Sequence, residues 1–194
     1  MMFAHQVFYD KCRFQNLSGR VFTLARHPVL NCGMGAEYHL KFRIYEGSVL
    51  AGYVRVVGKP YHSDKKGQSV YHLYNIDLEK EYQSLSLGSL LLYIINTEIR
   101  LNGGDYLYAN YPKPEALRFY LRLGFIPDPD EVRVMNNYLL SAPFGPDTLS
   151  SINDFLSLKI MLSETYSRWK CHTEVLNEIL CEKMCEKFKF LQPA

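Results

Sequence analysis

VYHLYNIDLEKEYQSLSLGSLLLYIINTEIRLNGG, residues 70–104, decides the fold. Val70 to Leu78 is rich in aromatic and branched side chains and alternates apolar with polar toward its end, as a half-buried strand does. Glu79-Lys80-Glu81-Tyr82-Gln83-Ser84 breaks that alternation. From Gly88 onward, Ser89 to Leu101 is long enough for a helix of three or more turns, and Asn102-Gly103-Gly104 supplies its stop. The order is therefore strand, polar loop, helix. A helix N-terminus leaves its first backbone N–H groups unpaired and carries a partial positive charge, so the loop entering it is a natural cradle for phosphate. Gly88 lets a ligand approach without a Cβ in the way. A simple turn into a helix would use the same residues.

Beyond the helix, Tyr106 to Asn110 reads as another strand, and Ala116-Leu117-Arg118-Phe119-Tyr120-Leu121-Arg122-Leu123-Gly124-Phe125 follows it. Gln83-Ser84-Leu85-Ser86-Leu87-Gly88-Ser89 resembles the Q/R-x-x-G-x-G/A loop of the GNAT superfamily of acyl-CoA-dependent N-acyltransferases. Phe119-Tyr120 with Leu123-Gly124-Phe125 resembles the second signature of that family, an A-x-x-F-Y-x-x-x-G-F helix. The resemblance runs from about Glu37 to Ala142, with Glu37 to Arg43, Val49 to Val57 and Val132 to Leu140 as the neighbouring strands. It implies an α/β (α+β) fold with a mixed, mostly antiparallel central sheet flanked by helices. It also implies acetyl-CoA as acyl donor, with its pyrophosphate on the backbone of Gln83, Ser84, Leu85, Ser86, Leu87, Gly88 and Ser89. The pantetheine would lie in a gap between Val70–Leu78 and Tyr106–Asn110, and the acceptor amine would enter from the opposite side.

The match departs from the family at two positions. Ser86 stands where the first glycine is usual, and a non-glycine residue is penalised if that position needs positive φ. Lys113 occupies the place where an asparagine often touches pantetheine, between Pro112 and Pro114, which hold the backbone extended. It could meet a cofactor phosphate or point into water.

Amide formation from a thioester needs a proton acceptor for the amine, a donor for the oxyanion and an acid for the departing thiolate. Tyr120 matches the family tyrosine that protonates the thiolate; an unperturbed pKa of about 10 keeps a phenol protonated at neutral pH. It could equally be an aromatic of the buried helix face beside Phe119 and Leu123. His72 lies on the strand leading into the loop, where family members carry a glutamate or histidine base, and it can accept a proton directly or through water. A strand histidine bonded to a neighbour is the alternative. Asp77 and Glu79 are rival bases, and strand alternation places them on the other face from His72. By resemblance the oxyanion donor is the backbone N–H of Leu78.

With 194 residues, 47% of them apolar, the chain can bury one substantial core. A net charge of +2 gives no clear pull toward nucleic acid or membranes. No stretch approaches the roughly 18 to 20 apolar residues of a membrane span, and Met1 to Gln6 lacks a basic region followed by an apolar one, so the chain reads as cytoplasmic. Cys12, Cys32, Cys171, Cys181 and Cys185 are odd in number and lack C-x-x-C spacing, which fits reduced thiols. Cys181 and Cys185, one turn apart on a helix and preceded by Cys171-His172, read as small apolar residues rather than a metal site.

Residues 1–40 are the least legible: Gln6 to Tyr9 could begin a strand, Val21 to Leu30 lacks periodicity, and Asn31 to Gly35 reads as a loop. In the family this region forms helices lining the acceptor side. Gly58 to Gly67 reads as a surface loop between antiparallel strands. Past Pro143 and Pro146 the periodicity becomes helical, with helices expected over Thr148 to Trp169 and Thr173 to Phe190. This divides the chain into an acyltransferase domain, 1–145, and a C-terminal helical extension, 146–194. In the last helix Leu176, Ile179, Leu180, Met184 and Phe188 share one face, while Glu174, Glu178, Glu182 and Glu186 form a row that is solvated or receives a basic partner.

Two functions follow. One is an N-acetyltransferase acting on a primary amine of a small molecule, protein or peptide by direct attack in a ternary complex, with homodimerisation open. The other is a catalytically degenerate binding module working through its C-terminal helices.

Overall fold

The computed structural model describes residues 11–27, 38–63, 68–110, 112, 114–128 and 168–191. The chain forms two compact units, residues 1–107 with 172–194, and residues 108–171. In the first, β1 (Lys11–Asn16), β2 (Val21–His27), β3 (Tyr38–Glu46), β4 (Val49–Ser63) and β5 (Ser69–Leu78) pair antiparallel in chain order. A 3-10 turn, Lys80–Leu85, leads into α1 (Leu87–Leu101). The same unit holds α3 (Thr173–Lys187) and β9 (Phe188–Leu191), which pairs antiparallel with β1. β6 (Tyr106–Asn110) ends in the second unit, which contains α2 (Pro114–Arg122), β7 (Ile126–Pro127) and most of β8 (Arg168–His172), in the strand order β7-β8-β6. The mixed fold and mostly antiparallel sheet expected from the sequence are present.

α1 forms because ten of its fifteen residues are leucine, isoleucine or other good helix formers with no interior proline. Its single glycine, Gly88, falls in the first turn. The helix is buried over nearly its whole length because it lies between β3–β5 and α3. Phe22, Leu24, Leu40, Phe42, Ile44, Val54 and Val56 form the sheet face beneath it. Buried Asn96 donates to the Thr173 carbonyl at 2.8 Å, and the Thr173 hydroxyl donates to the Gly104 carbonyl at 2.8 Å, which fixes the start of α3 against the end of α1.

Several expectations need correction. Residues 11–27 form the β1–β2 hairpin instead of helices; each strand contributes just two inward apolar side chains, Cys12 and Phe14, Phe22 and Leu24, too few to stand out as periodicity. β4 continues to Ser63, where it pairs with Ser69, so much of the expected loop is strand. Arg168 and Trp169 are not helical, because Trp169 pairs with Pro127 in β8. α3 stops at Lys187, since Phe188 is extended and pairs with Asn16. The expected features at Gln6–Tyr9, Asn31–Gly35, Lys113, Val132–Leu140 and Thr148–Ser167 lie outside the described residues.

Candidate active site

The junction between the 3-10 turn and α1 turns on Ser86, with φ 62° and ψ 13°. Among the described residues it is the one non-glycine with positive φ, a conformation costing about 1–2 kcal/mol for an L-residue. The serine thus occupies a position suited to glycine. A serine at the N-cap ordinarily accepts from a backbone N–H of the first turn. Here it makes no such cap; its Oγ accepts instead from Lys187 Nζ at 2.9 Å.

The first intrahelical bond runs from the Leu90 N–H to the Ser86 carbonyl, at 3.1 Å. The N–H groups of Leu87, Gly88 and Ser89 precede it and have no acceptor within the helix. They coincide with the positive end of the helix dipole. The expected holders contribute unequally: Leu87 is buried and offers only its backbone, Gln83 and Ser84 are exposed, and Leu85, Ser86, Gly88 and Ser89 are half-buried. Gln83 Nε2 donates to the Leu78 carbonyl at 3.1 Å, tying the turn to the end of β5. Tyr82 is buried and anchors the turn from beneath: its hydroxyl donates to Glu46 at 3.3 Å, and Arg20 holds that carboxylate through two bonds of 2.6 and 2.7 Å.

β5 carries an irregularity that changes which side chains meet. Arg55 pairs with Asn75 while Val56 pairs with Leu73, leaving Tyr74 as an extra residue that is 67% exposed. His72 pairs with Val57, Asn75 with Arg55 and Asp77 with Tyr53, and alternate residues of β4 share a face. His72, Asn75 and Asp77 therefore lie on one face of the sheet, the one away from α1. This corrects the assignment of His72 and Asp77 to opposite faces: strict alternation fails across a bulge. Its signature is in the sequence, since apolar residues shift from odd positions, Tyr71 and Leu73, to even ones, Ile76 and Leu78.

Asn75 Nδ2 donates to the Tyr53 hydroxyl at 2.8 Å, and Asp77 is exposed. At the strand end Gly52 pairs with Leu78. A Cβ at Gly52 would sit 2.5 Å from the Asp77 carbonyl oxygen, so glycine is required for β4 to pass this close to the end of β5.

In the second unit Tyr120 is 6% exposed, with the Phe119 and Phe125 rings edge-on at 5.4 and 5.2 Å. The Leu123 and Phe125 N–H groups both donate to its carbonyl, at 3.0 and 3.1 Å, closing α2 over Gly124 at φ 80°. Burial pushes the Tyr120 phenol up to about 12, so it holds its proton firmly at neutral pH. These surroundings match the buried-aromatic reading of Tyr120.

Among the described residues, no three His, Cys, Asp or Glu side chains gather as a metal site, and no helix is long and apolar enough to cross a membrane. Sequence reasoning missed Lys187, which is 101 positions from Ser86 and carries no local signal.

No protein-family model and no curated protein matches the chain. Solved structures do. A GNAT-family protein from Desulfovibrio desulfuricans is 28% identical over 46% of this chain and 56% of its own, with a TM-score of 0.40. The likeness is to the GNAT family of acetyltransferases. A GNAT acetyltransferase from Staphylococcus aureus is 13% identical, covering 70% of this chain and 68% of its own, with a TM-score of 0.44. Nourseothricin acetyltransferase is 14% identical, covering 84% and 85%, with a TM-score of 0.42. The chain thus spans little more than half of the first of these relatives.

Proposed function

We propose that the protein is an N-acetyltransferase that moves an acetyl group from acetyl-CoA to a primary amine by direct attack in a ternary complex. The observation that carries this reading is the uncapped start of α1, where the Leu87, Gly88 and Ser89 N–H groups remain available beside Lys187. Those donors suit a pyrophosphate, and the positive φ at Ser86 gives the loop the shape a glycine would.

In this reading the amine attacks the thioester carbonyl, and His72, Asp77, Glu79 or a bound water takes its proton. The Leu78 N–H stabilises the oxyanion, and collapse of the intermediate breaks the C–S bond as Tyr120 protonates the thiolate. Burial raises the Tyr120 phenol to about 12, so it carries its proton when the thiolate forms. Lys113 is a further candidate for coenzyme A contact.

Thiol release from acetyl-CoA in the presence of a primary-amine panel tests the proposal. Tyr120→Phe should lower kcat by about 100-fold or more with little change in acetyl-CoA affinity. Wild-type turnover in that variant would remove the acid role. His72→Ala should shift the pH–rate profile if His72 is the base, whereas an unshifted profile assigns the proton to a carboxylate or water.

A further inference from the structure

The sheet face away from α1 carries a concentration of positive charge. In one cross-strand row His27 pairs with Lys41, Lys41 with Arg55 and Arg55 with Asn75; in the next, Arg43 pairs with Tyr53 and Tyr53 with Asp77. Directly paired side chains in an antiparallel sheet hold their Cβ atoms about 4.5–5.5 Å apart, and like charges so placed oppose folding. Lys41 opposite Arg55 is such a pair, with Arg43 two residues along the same strand. Asp77 is the carboxylate in these two rows.

Aromatic faces hold two of these cations in place: Lys41 Nζ lies 5.6 Å from the Tyr53 ring centroid, and the Arg55 guanidinium lies 4.7 Å from that of Tyr74, the bulge residue. The three cations are half-buried. Among the described residues, no ion pair neutralises Lys41 or Arg43. At the end of the row the His27 ring keeps a buried Nε2 without a hydrogen-bond partner. Burial first, then Arg43 and Lys41, lower its proton affinity, so the ring stays neutral and able to accept or donate.

This charge shares its face with His72, Asn75 and Asp77, one strand away from Arg55 and two from Lys41 and Arg43. We propose that the row is an acceptor subsite selecting an amine that also bears an anionic group, a carboxylate or a phosphate, roughly 5–10 Å from the nitrogen. The distance follows from strand spacing: the amine lies against β5 and the anion against β3 and β4. The proposal rests on the transferase reading for its amine and on the paired cations for its anion. A counter-anion relieves the repulsion between Lys41 and Arg55.

The test compares acetyl transfer to 4-aminobutyrate, 2-aminoethyl phosphate and uncharged 4-aminobutanamide, with wild-type protein and with Lys41→Gln and Arg43→Gln made separately. Both substitutions remove a like charge, so both variants should fold. The expected result is a kcat/KM at least about tenfold higher for an anionic amine, with each substitution removing most of that advantage and sparing the amide. Preference for the phosphate or for the carboxylate identifies which anion the face was built for. Equal rates for all three amines, or an advantage untouched by both substitutions, would overturn the proposal.

Should no amine be acetylated, the transferase reading fails first, and calorimetric titration of Gly88→Glu protein with inorganic phosphate isolates this face from the α1 loop. Saturable binding lost in Gly88→Glu/Lys41→Gln would retain the anion subsite. Absence of binding would end it.

Discussion

The two faces of the first unit's sheet are made from the same strands and do opposite things. Toward α1, Phe22, Leu40, Phe42, Ile44 and Val54 are at most 1% exposed, and the charged groups of that face, Arg26 and Glu46, lie at its edge in ion pairs with Glu98 and Arg20. Away from α1, Lys41, Arg43, Arg55, His72 and Asn75 alternate with those residues and are half-buried. A strand gives each face every second residue, so one sequence can serve stability and chemistry without either dictating the other. The contrast also shows where change is costly: a change of size on the inner face costs far more than a change of charge on the outer one.

Adjacent residues give the sharpest contrast. Phe42→Ala should lose about 3–5 kcal/mol of stability through the cavity it leaves, while Arg43→Ala next to it should change stability by no more than about 0.5 kcal/mol. Chemical denaturation of both variants checks this, and comparable losses would mean that the outer face is part of the core. Gly52→Ala should cost about 1–3 kcal/mol by forcing Asp77 and Leu78 aside, and it should impair turnover more than acetyl-CoA binding. Unaltered kinetics would detach the end of β5 from the reaction.

Smaller effects probe the edges of the inner face. Burial raises the Glu98 carboxyl above 4.5 despite Arg26 at 3.3 Å. The folded state then binds a proton more tightly than the unfolded chain, so this group's contribution favours folding at low pH. That contribution fades as pH rises from about 4.5 through the raised value. Glu98→Gln should flatten this slope in melting temperature against pH; a slope of the opposite sign would mean that the ion pair outweighs burial. Ser86→Gly should relieve left-handed strain against loss of the Lys187 contact, for a net gain of up to about 1 kcal/mol. Destabilisation instead would make the Lys187 contact the stronger term.

Much of the inner face was legible in advance. The run from Ser89 to Leu101 and its Asn102-Gly103 stop specify α1 locally, and the predicted strand Val70–Leu78 differs from β5 by a single residue. β1 and β2 were illegible because two buried residues per short strand do not outweigh their polar neighbours, and their place depends on pairing with β3 and β9. Phe188 fits the apolar stripe of α3, so only its pairing with Asn16 reveals it as strand. On the outer face the obstacle was the bulge at Tyr74, which moves His72 and Asp77 onto one surface, and cross-strand registry, which brings Lys41 opposite Arg55. The positive φ at Ser86 was foreseeable as a cost, but its partner Lys187 was not, because tertiary packing alone joins them.

Calorimetric titration with acetyl-CoA of wild-type protein and of Gly88→Glu, each shown to be folded by its melting transition, tests the central claim most directly. The prediction is saturable binding by wild type and none by the variant, whose carboxylate would meet the phosphates at the start of α1. Equal affinity in the two proteins, or no binding by folded wild type, would contradict it.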